Sequence, residues 1–237
     1  MTSVQPANNL DLALIGNCSF AGLVDKHAQI TWCCMPHFDG DPVFCSLVNG
    51  TENDSESPVE WGFWDFEMLD FERSEQEYLE NTAILVTHLY DVHGNVMKIT
   101  DFAPRYSHYG RFFKPTTITR IVEPVKGTPR IKVRLRPRFN YGATPPTVTR
   151  GGNHMRFVSS DLILRLTTDA SLAYVHNETT VMLEQRYTFI LGPDEPLQGN
   201  VDAMGKRYFE NTARYWREYT RNLALPFEWQ EALIRSA

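Results

Sequence analysis

The spacing of apolar residues changes once along this chain, and that change limits its architecture. As far as Leu191, apolar and β-branched residues come in short runs broken by turn-forming residues. Alternation is cleanest at Ile131, Val133 and Leu135, with Lys132, Arg134 and Arg136 on the opposite face, the mark of a half-buried strand. From Asn200 the step becomes i, i+3/i+4. Val201, Met204, Tyr208, Thr212, Tyr215, Tyr219 and Leu223 then form one stripe along a helix of about six turns. Upstream, about ten or more short strands with turn signals between them suit a two-sheet sandwich. Asp25–Ala28 and Asp91–Gly94 read as hairpin loops, and Leu172–Val175 reads as one of the late strands.

The expectation is a mainly β fold: a two-sheet antiparallel β-sandwich of the super-sandwich kind, then a C-terminal helix and a truncated second helix. Residues 1–9 read as an extended or disordered N-terminus, 10–198 as the sandwich, 199–225 as the helix and 226–237 as the start of something further. Pro226 interrupts the helical pattern. Phe227, Trp229, Leu233 and Ile234 then begin a second one that stops without a capping glycine, as in a chain cut short.

Composition narrows the function classes. Of 237 residues, 42% are hydrophobic and 12% aromatic, enough for a substantial core, and the net charge is −6. No basic run could neutralise a line of phosphates, and the arginines between Arg130 and Arg138 alternate as on a strand face, so nucleic acid is not an expected partner. Met1–Asn9 lacks the basic start and apolar run of a secretory signal, and no apolar segment reaches membrane-spanning length. Cys18, Cys33, Cys34 and Cys45 lack metal-type spacing and read as free, mostly buried thiols in a reduced cytoplasm. The seven histidines are scattered. No metal and no cofactor are expected.

One stretch stands out for binding, Gln29–Leu47 (QITWCCMPHFDGDPVFCSL). A strand breaks at Met35-Pro36, and a loop mixing aromatic, acidic and turn-forming residues follows before Val43. Loops carried on rigid strands hold binding residues more often than the strands do. Trp32, His37, Phe38 and Asp39 are therefore the candidate substrate contacts, against the plainer reading of a surface turn with one buried aromatic. Trp61 and Trp64 fall at an odd separation, so a regular strand would put them on opposite faces, unless Gly62 marks a bulge.

Several stretches together resemble one family. LDLALIGNCSFAGLVDKHAQITWCCMPHFDGDPVFCSLV looks like the opening of the bacterial and archaeal glucoamylase and trehalase-like enzymes of glycoside hydrolase family 15. ITDFAPR (Ile99 to Arg105), RLRPRFNYG (Arg134 to Gly142) and LRLTTDASL (Leu164 to Leu172) are similar to later family motifs, in the same order. YWREYTRNLALPFEWQEALIRSA resembles the linker helix and the first catalytic-domain helix. Asn17 and Asn140 stand where the family commonly has Asp, His37 replaces a common Arg, and Gly40-Asp41-Pro42 lengthens an Asp-Ser-Pro turn.

The resemblance implies an N-terminal sandwich joined by a linker helix to an (α/α)6 barrel, whose two glutamates perform inverting hydrolysis of α-glucosidic bonds. The chain itself then has no catalytic residues. Its partner is the barrel of the same polypeptide, met through Tyr208, Tyr215, Trp216, Tyr219, Phe227 and Trp229, with an oligosaccharide contact at the loop and homo-oligomerisation through the uncovered C-terminal helix. Two other readings compete: a free-standing carbohydrate-binding module with Trp32, Phe38, Trp61 or Trp64 as platforms, and a hydrolase complete within 237 residues.

Overall fold

A computed structural model describes residues 10–48, 62–223 and 228–236. The readings made for residues 1–9, Trp61 and Phe227 lie outside the described residues. In chain order the strands are β1 (Ala13–Gly16), β2 (Ala21–Val24), β3 (Ile30–Cys34), β4 (Pro42–Phe44), β5 (Phe63–Met68), β6 (Phe71–Tyr78), β7 (Leu85–Asp91) and β8 (Val96–Phe102). There follow β9 (Tyr106–His108), β10 (Arg111–Phe113), β11 (Ile118–Lys126), β12 (Arg130–Arg136), β13 (Thr147–Arg150), β14 (His154–Val158) and β15 (Ile163–Thr168). The chain closes with helix α1 (Leu172–His176), β16 (Val181–Met182), β17 (Tyr187–Pro193) and helices α2 (Val201–Arg221) and α3 (Gln230–Ser236).

Two antiparallel sheets carry the fold. The seven-stranded sheet runs β1-β2-β3-β5-β12-β16 with β4 on β3; the eight-stranded sheet runs β13-β14-β15-β17-β11-β8-β7-β6. Alternation sends Ile131, Val133 and Leu135 inward to meet Met97, Ile99, Val122, Phe189 and Leu191 from the other sheet. At one side the two sheets are tied edge to edge: the Tyr78 hydroxyl donates to the Leu14 carbonyl and accepts from the Leu14 N–H, at 2.9 and 2.8 Å.

Two charged groups sit inside this core. Arg120 on β11 and Asp101 on β8 are register partners, each with a fully buried side chain. The guanidinium donates to Asp101 Oδ1 at 2.8 Å and Oδ2 at 3.0 Å, then crosses to the other sheet to donate to the Trp64 carbonyl at 2.8 Å and to the Ala28 carbonyl. Pairing in this fork geometry is what makes the burial of both charges tolerable.

Helix α2 packs on the far side of the eight-stranded sheet. Val201, Met204, Tyr208 and Ala213 meet Phe102, Ile121 and Ile190, which point away from the main core. Gly205 permits the approach, since a Cβ there would stand 2.6 Å from Thr188 Cγ2. Asn200 caps the helix, its side chain accepting from the Ala203 N–H at 3.0 Å. The predicted stripe is thus the packing face for its first four turns; beyond that Tyr215 is half-buried and Tyr219 exposed.

One expected strand is not one. Leu172–Val175 forms the single-turn helix α1, with Val175 buried and Tyr174 outward. Four residues are too few to separate a period of two from one of 3.6. Strand β6, FERSEQEY, escaped the sequence reading for another reason. As an edge strand it keeps only half-buried positions, and its charged residues hide the alternation.

Candidate functional site

The β3–β4 connection is built as a compact hook. Met35-Pro36 is cis, the Gly40 N–H donates to the His37 carbonyl at 3.1 Å, and a Cβ on Gly40 would lie 2.8 Å from the Met35 carbonyl oxygen. His37, Phe38 and Asp39 are left at the tip, all exposed, with Phe38 61% accessible. Trp32 does not join them. It is half-buried on the outward side of β3, with its ring 6.5 Å from that of Tyr141.

From the hook a chain of polar contacts leads to the helix. The Pro36 carbonyl accepts from the Thr116 hydroxyl at 3.1 Å. Asn17, fully buried, donates its amide to the carbonyls of Pro115 at 2.7 Å and Pro104 at 3.1 Å. An aspartate in its place could only accept, so the amide is the group this junction requires. Arg105 donates to the Asn17 carbonyl at 2.5 Å, and its backbone N–H donates to the Thr212 hydroxyl on α2 at 3.2 Å.

Around Arg105 the aromatic residues gather. Its guanidinium carbon lies 4.9 Å from the Tyr215 ring centre and 5.7 Å from those of Phe112 and Trp216. Tyr215 and Tyr219 stack at 6.5 Å with 11° between planes, and Trp216 meets both edge-on. The β9–β10 hairpin adds Tyr109 and Phe112, 93% and 63% exposed, so this end of the sandwich presents a broad aromatic surface.

The structure sorts the predicted contact residues. Tyr215, Trp216 and Tyr219 belong to this aromatic end, and His37, Phe38 and Asp39 are linked to it through Thr116, Asn17 and Arg105. Tyr208 is instead buried, its ring 6.2 Å from Tyr106 and 5.8 Å from Phe113. Trp229 is 79% exposed at the start of α3. That helix is held elsewhere: Arg235 donates to the Thr82 carbonyl at 3.1 Å and lies 3.7 Å over the Tyr78 ring. Trp64 is no platform, being fully buried against Phe44, Phe66 and Arg120. The sequence reading did not single out Asn17, Arg105, Tyr109 or Phe112 as site residues; Arg105 closes the ITDFAPR motif, which was its only signal.

The perturbed carboxylates have structural explanations. Burial pushes the Asp101 carboxyl up against the opposing pull of Arg120, and does the same at Asp65 against Arg134. Arg136, bonded to both Glu178 oxygens at 2.6 Å, holds that carboxyl below its ordinary range. Asp25 is raised by burial while accepting N–H bonds from His27 and Gln29. Among the described residues no cluster of three or more potential metal ligands occurs. None of the four cysteines forms a disulfide; Cys33 and Cys45 are buried, Cys34 is half-buried and Cys18 is exposed.

Residues 4–170 match the family described as "Trehalase-like, N-terminal". A trehalase of Thermoplasma volcanium is 26% identical over 231 residues, covering 94% of this chain and 35% of that protein. A trehalase of Thermoplasma acidophilum is 26% identical over 220 residues, covering 91% and 36%. The chain therefore spans about a third of the length of the curated relatives it matches.

Proposed function

The chain belongs to the trehalase-like N-terminal family, and from that premise we propose that it is the non-catalytic sandwich of a glycoside hydrolase acting on α-glucosidic bonds. It packs against and supports an (α/α)6 barrel of the family 15 type in the remainder of the polypeptide, and it works in the cytoplasm, which suits cysteines that form no disulfide. The observation that carries this reading is the aromatic end: Arg105 fixes Tyr215, Trp216 and Phe112 beside the exposed Tyr109 and Tyr219, a cluster of exposed rings of the kind that marks an interaction surface. The β3–β4 hook, tied to the same end, brings His37, Phe38 and Asp39 towards the barrel's substrate cleft, with Trp32 and Tyr141 on the adjoining sheet face.

The state of the carboxylates supports the same assignment. Inverting hydrolysis needs an acid and a base roughly 6.5–9.5 Å apart with a water between them. Asp65, Asp101, Glu178 and Asp194 are instead each engaged by an arginine. Incubated with trehalose, maltose or isomaltose, the purified chain is expected to release no glucose above a buffer blank. Turnover that disappears when one carboxylate of this chain is changed to its amide overturns the assignment.

A further inference from the structure

On the outer face of the eight-stranded sheet, two arginines stand where the ladder gives them little reason to. Arg156 on β14 and Arg165 on β15 are direct register partners, an arrangement that like charges ordinarily disfavour. A single carboxylate serves both. Asp194 Oδ2 takes Arg156 at 2.5 Å, which leaves Oδ1 3.6 Å from Arg165 Nη1, beyond hydrogen-bonding distance. The Arg165 side chain is only 14% exposed, and its Nε donates to the Thr167 hydroxyl across a long 3.4 Å. A mostly buried guanidinium thus holds only the longer half of a shared carboxylate, with Asp194 3.6 Å from Arg165 against 2.5 Å from Arg156.

It does not lack space. Arg165 lines a cavity of about 90 Å3 between the sheet, the end of β10 and the first turns of α2, with Thr117, Thr167, Phe113, Tyr208 and Gly192 around it. Gly192 keeps the floor open, since a Cβ there would stand 2.5 Å from Thr117 Oγ1. A buried cation, neighbouring hydroxyls and room for a few water-sized groups make a receptor for a small oxyanion. Glu195, exposed at the rim, and Asp194, 3.6 Å from Arg165, are the carboxylates that would repel it.

We propose that this cavity binds a small tetrahedral oxyanion, inorganic phosphate or the phosphate head of a monoester, with Arg165 as its charge partner and the Thr117 and Thr167 hydroxyls beside it. The anion supplies the counter-charge that the Arg156–Arg165 pair shares incompletely, and it does so at the seam between sheet and α2. The cavity adjoins the aromatic end through Phe113 and Pro115, and its binding of an anion does not depend on whether a barrel follows.

Thermal unfolding of the 237-residue chain near neutral pH tests it, comparing about 10 mM phosphate, sulfate, glucose 6-phosphate or glucose with sodium chloride of equal ionic strength. Phosphate is expected to raise Tm by about 2–4 °C over the chloride control, and glucose not to. A larger shift with glucose 6-phosphate than with phosphate assigns the site to a monoester; an equal or smaller one assigns it to the free ion. Arg165→Gln should abolish the shift and Glu195→Gln should enlarge it. No phosphate effect in the unaltered chain, or an undiminished one in Arg165→Gln, overturns the proposal. Should Arg165→Gln fail to fold, Glu195→Gln decides, because an unchanged or smaller shift there is equally fatal.

Discussion

At the scale of single residues, buried charge is the dominant fact. Arg120 reaches Asp101 on the neighbouring strand and two carbonyls on the opposite sheet, so removing it strands a carboxylate where water cannot reach. Arg120→Met is expected to cost about 3–5 kcal/mol in chemical denaturation, and Arg120→Met combined with Asp101→Leu markedly less, since the second change removes the orphaned charge. Equal losses in the single and double variants would rule this out. Glu178 behaves oppositely with pH. Arg136 lowers its folded-state pKa below the ordinary glutamate value of 4.5, so its contribution is present above that value and is lost as pH falls through the lower, folded-state one. The stability gap between the unaltered chain and Glu178→Gln should be open near pH 7 and narrow as the pH falls below the ordinary glutamate range; a gap independent of pH refutes the linkage. None of this was legible in the sequence. The Arg120–Asp101 contact joins positions whose side chains sit within apolar strand runs, and the Asn17–Pro104 and Arg105–Thr212 contacts span separations of 87 and 107 residues that no local pattern encodes.

At the scale of elements, α2 is where the sequence spoke most clearly and yet stopped short. Its stripe from Val201 to Thr212 was readable as a face; what that face covers was not. Phe102, Ile121 and Ile190 point outward, while Ile99, Val122 and Leu191 point inward, so β8, β11 and β17 are apolar on both sides and give no sign of which side receives a helix. The contact itself is tight at Gly205. Replacing Gly205 by Ala gains up to about 1 kcal/mol of helix propensity. It also brings a methyl to 2.6 Å from Thr188 Cγ2, on a fully buried residue of a central strand that cannot yield. Overpacking of that kind costs about 1–3 kcal/mol, so the loss should exceed the gain and Gly205→Ala should be net destabilised. Full retention of the denaturation midpoint would mean that the helix can lift off the sheet at little cost.

At the scale of the whole molecule, the sandwich has used one side of α2 and left the other end of the helix, with the β9–β10 hairpin, carrying aromatic surface. Removing the helix would not cure this. It would uncover Phe102, Ile121 and Ile190 and exchange one apolar face for another. The sharper intervention changes only residues that contribute little to the interior: Tyr109, 93% exposed on the hairpin, and Tyr219, 37% exposed in the last turns of α2. Large exposed apolar patches on a soluble chain are sites of association, so the 237-residue chain by itself is expected to self-associate through this end. Tyr109→Ser with Tyr219→Ser should shift its light-scattering mass towards the monomer while leaving Tm within a few degrees, because neither ring is buried in the sheet–helix core. Substitutions on the opposite flank, such as Val125→Ser on the exposed end of β11, should leave the mass distribution unchanged. If the double tyrosine variant and the unaltered chain have the same mass at every concentration, the aromatic end is not the association surface, and the case for it as the barrel-facing side loses its physical basis.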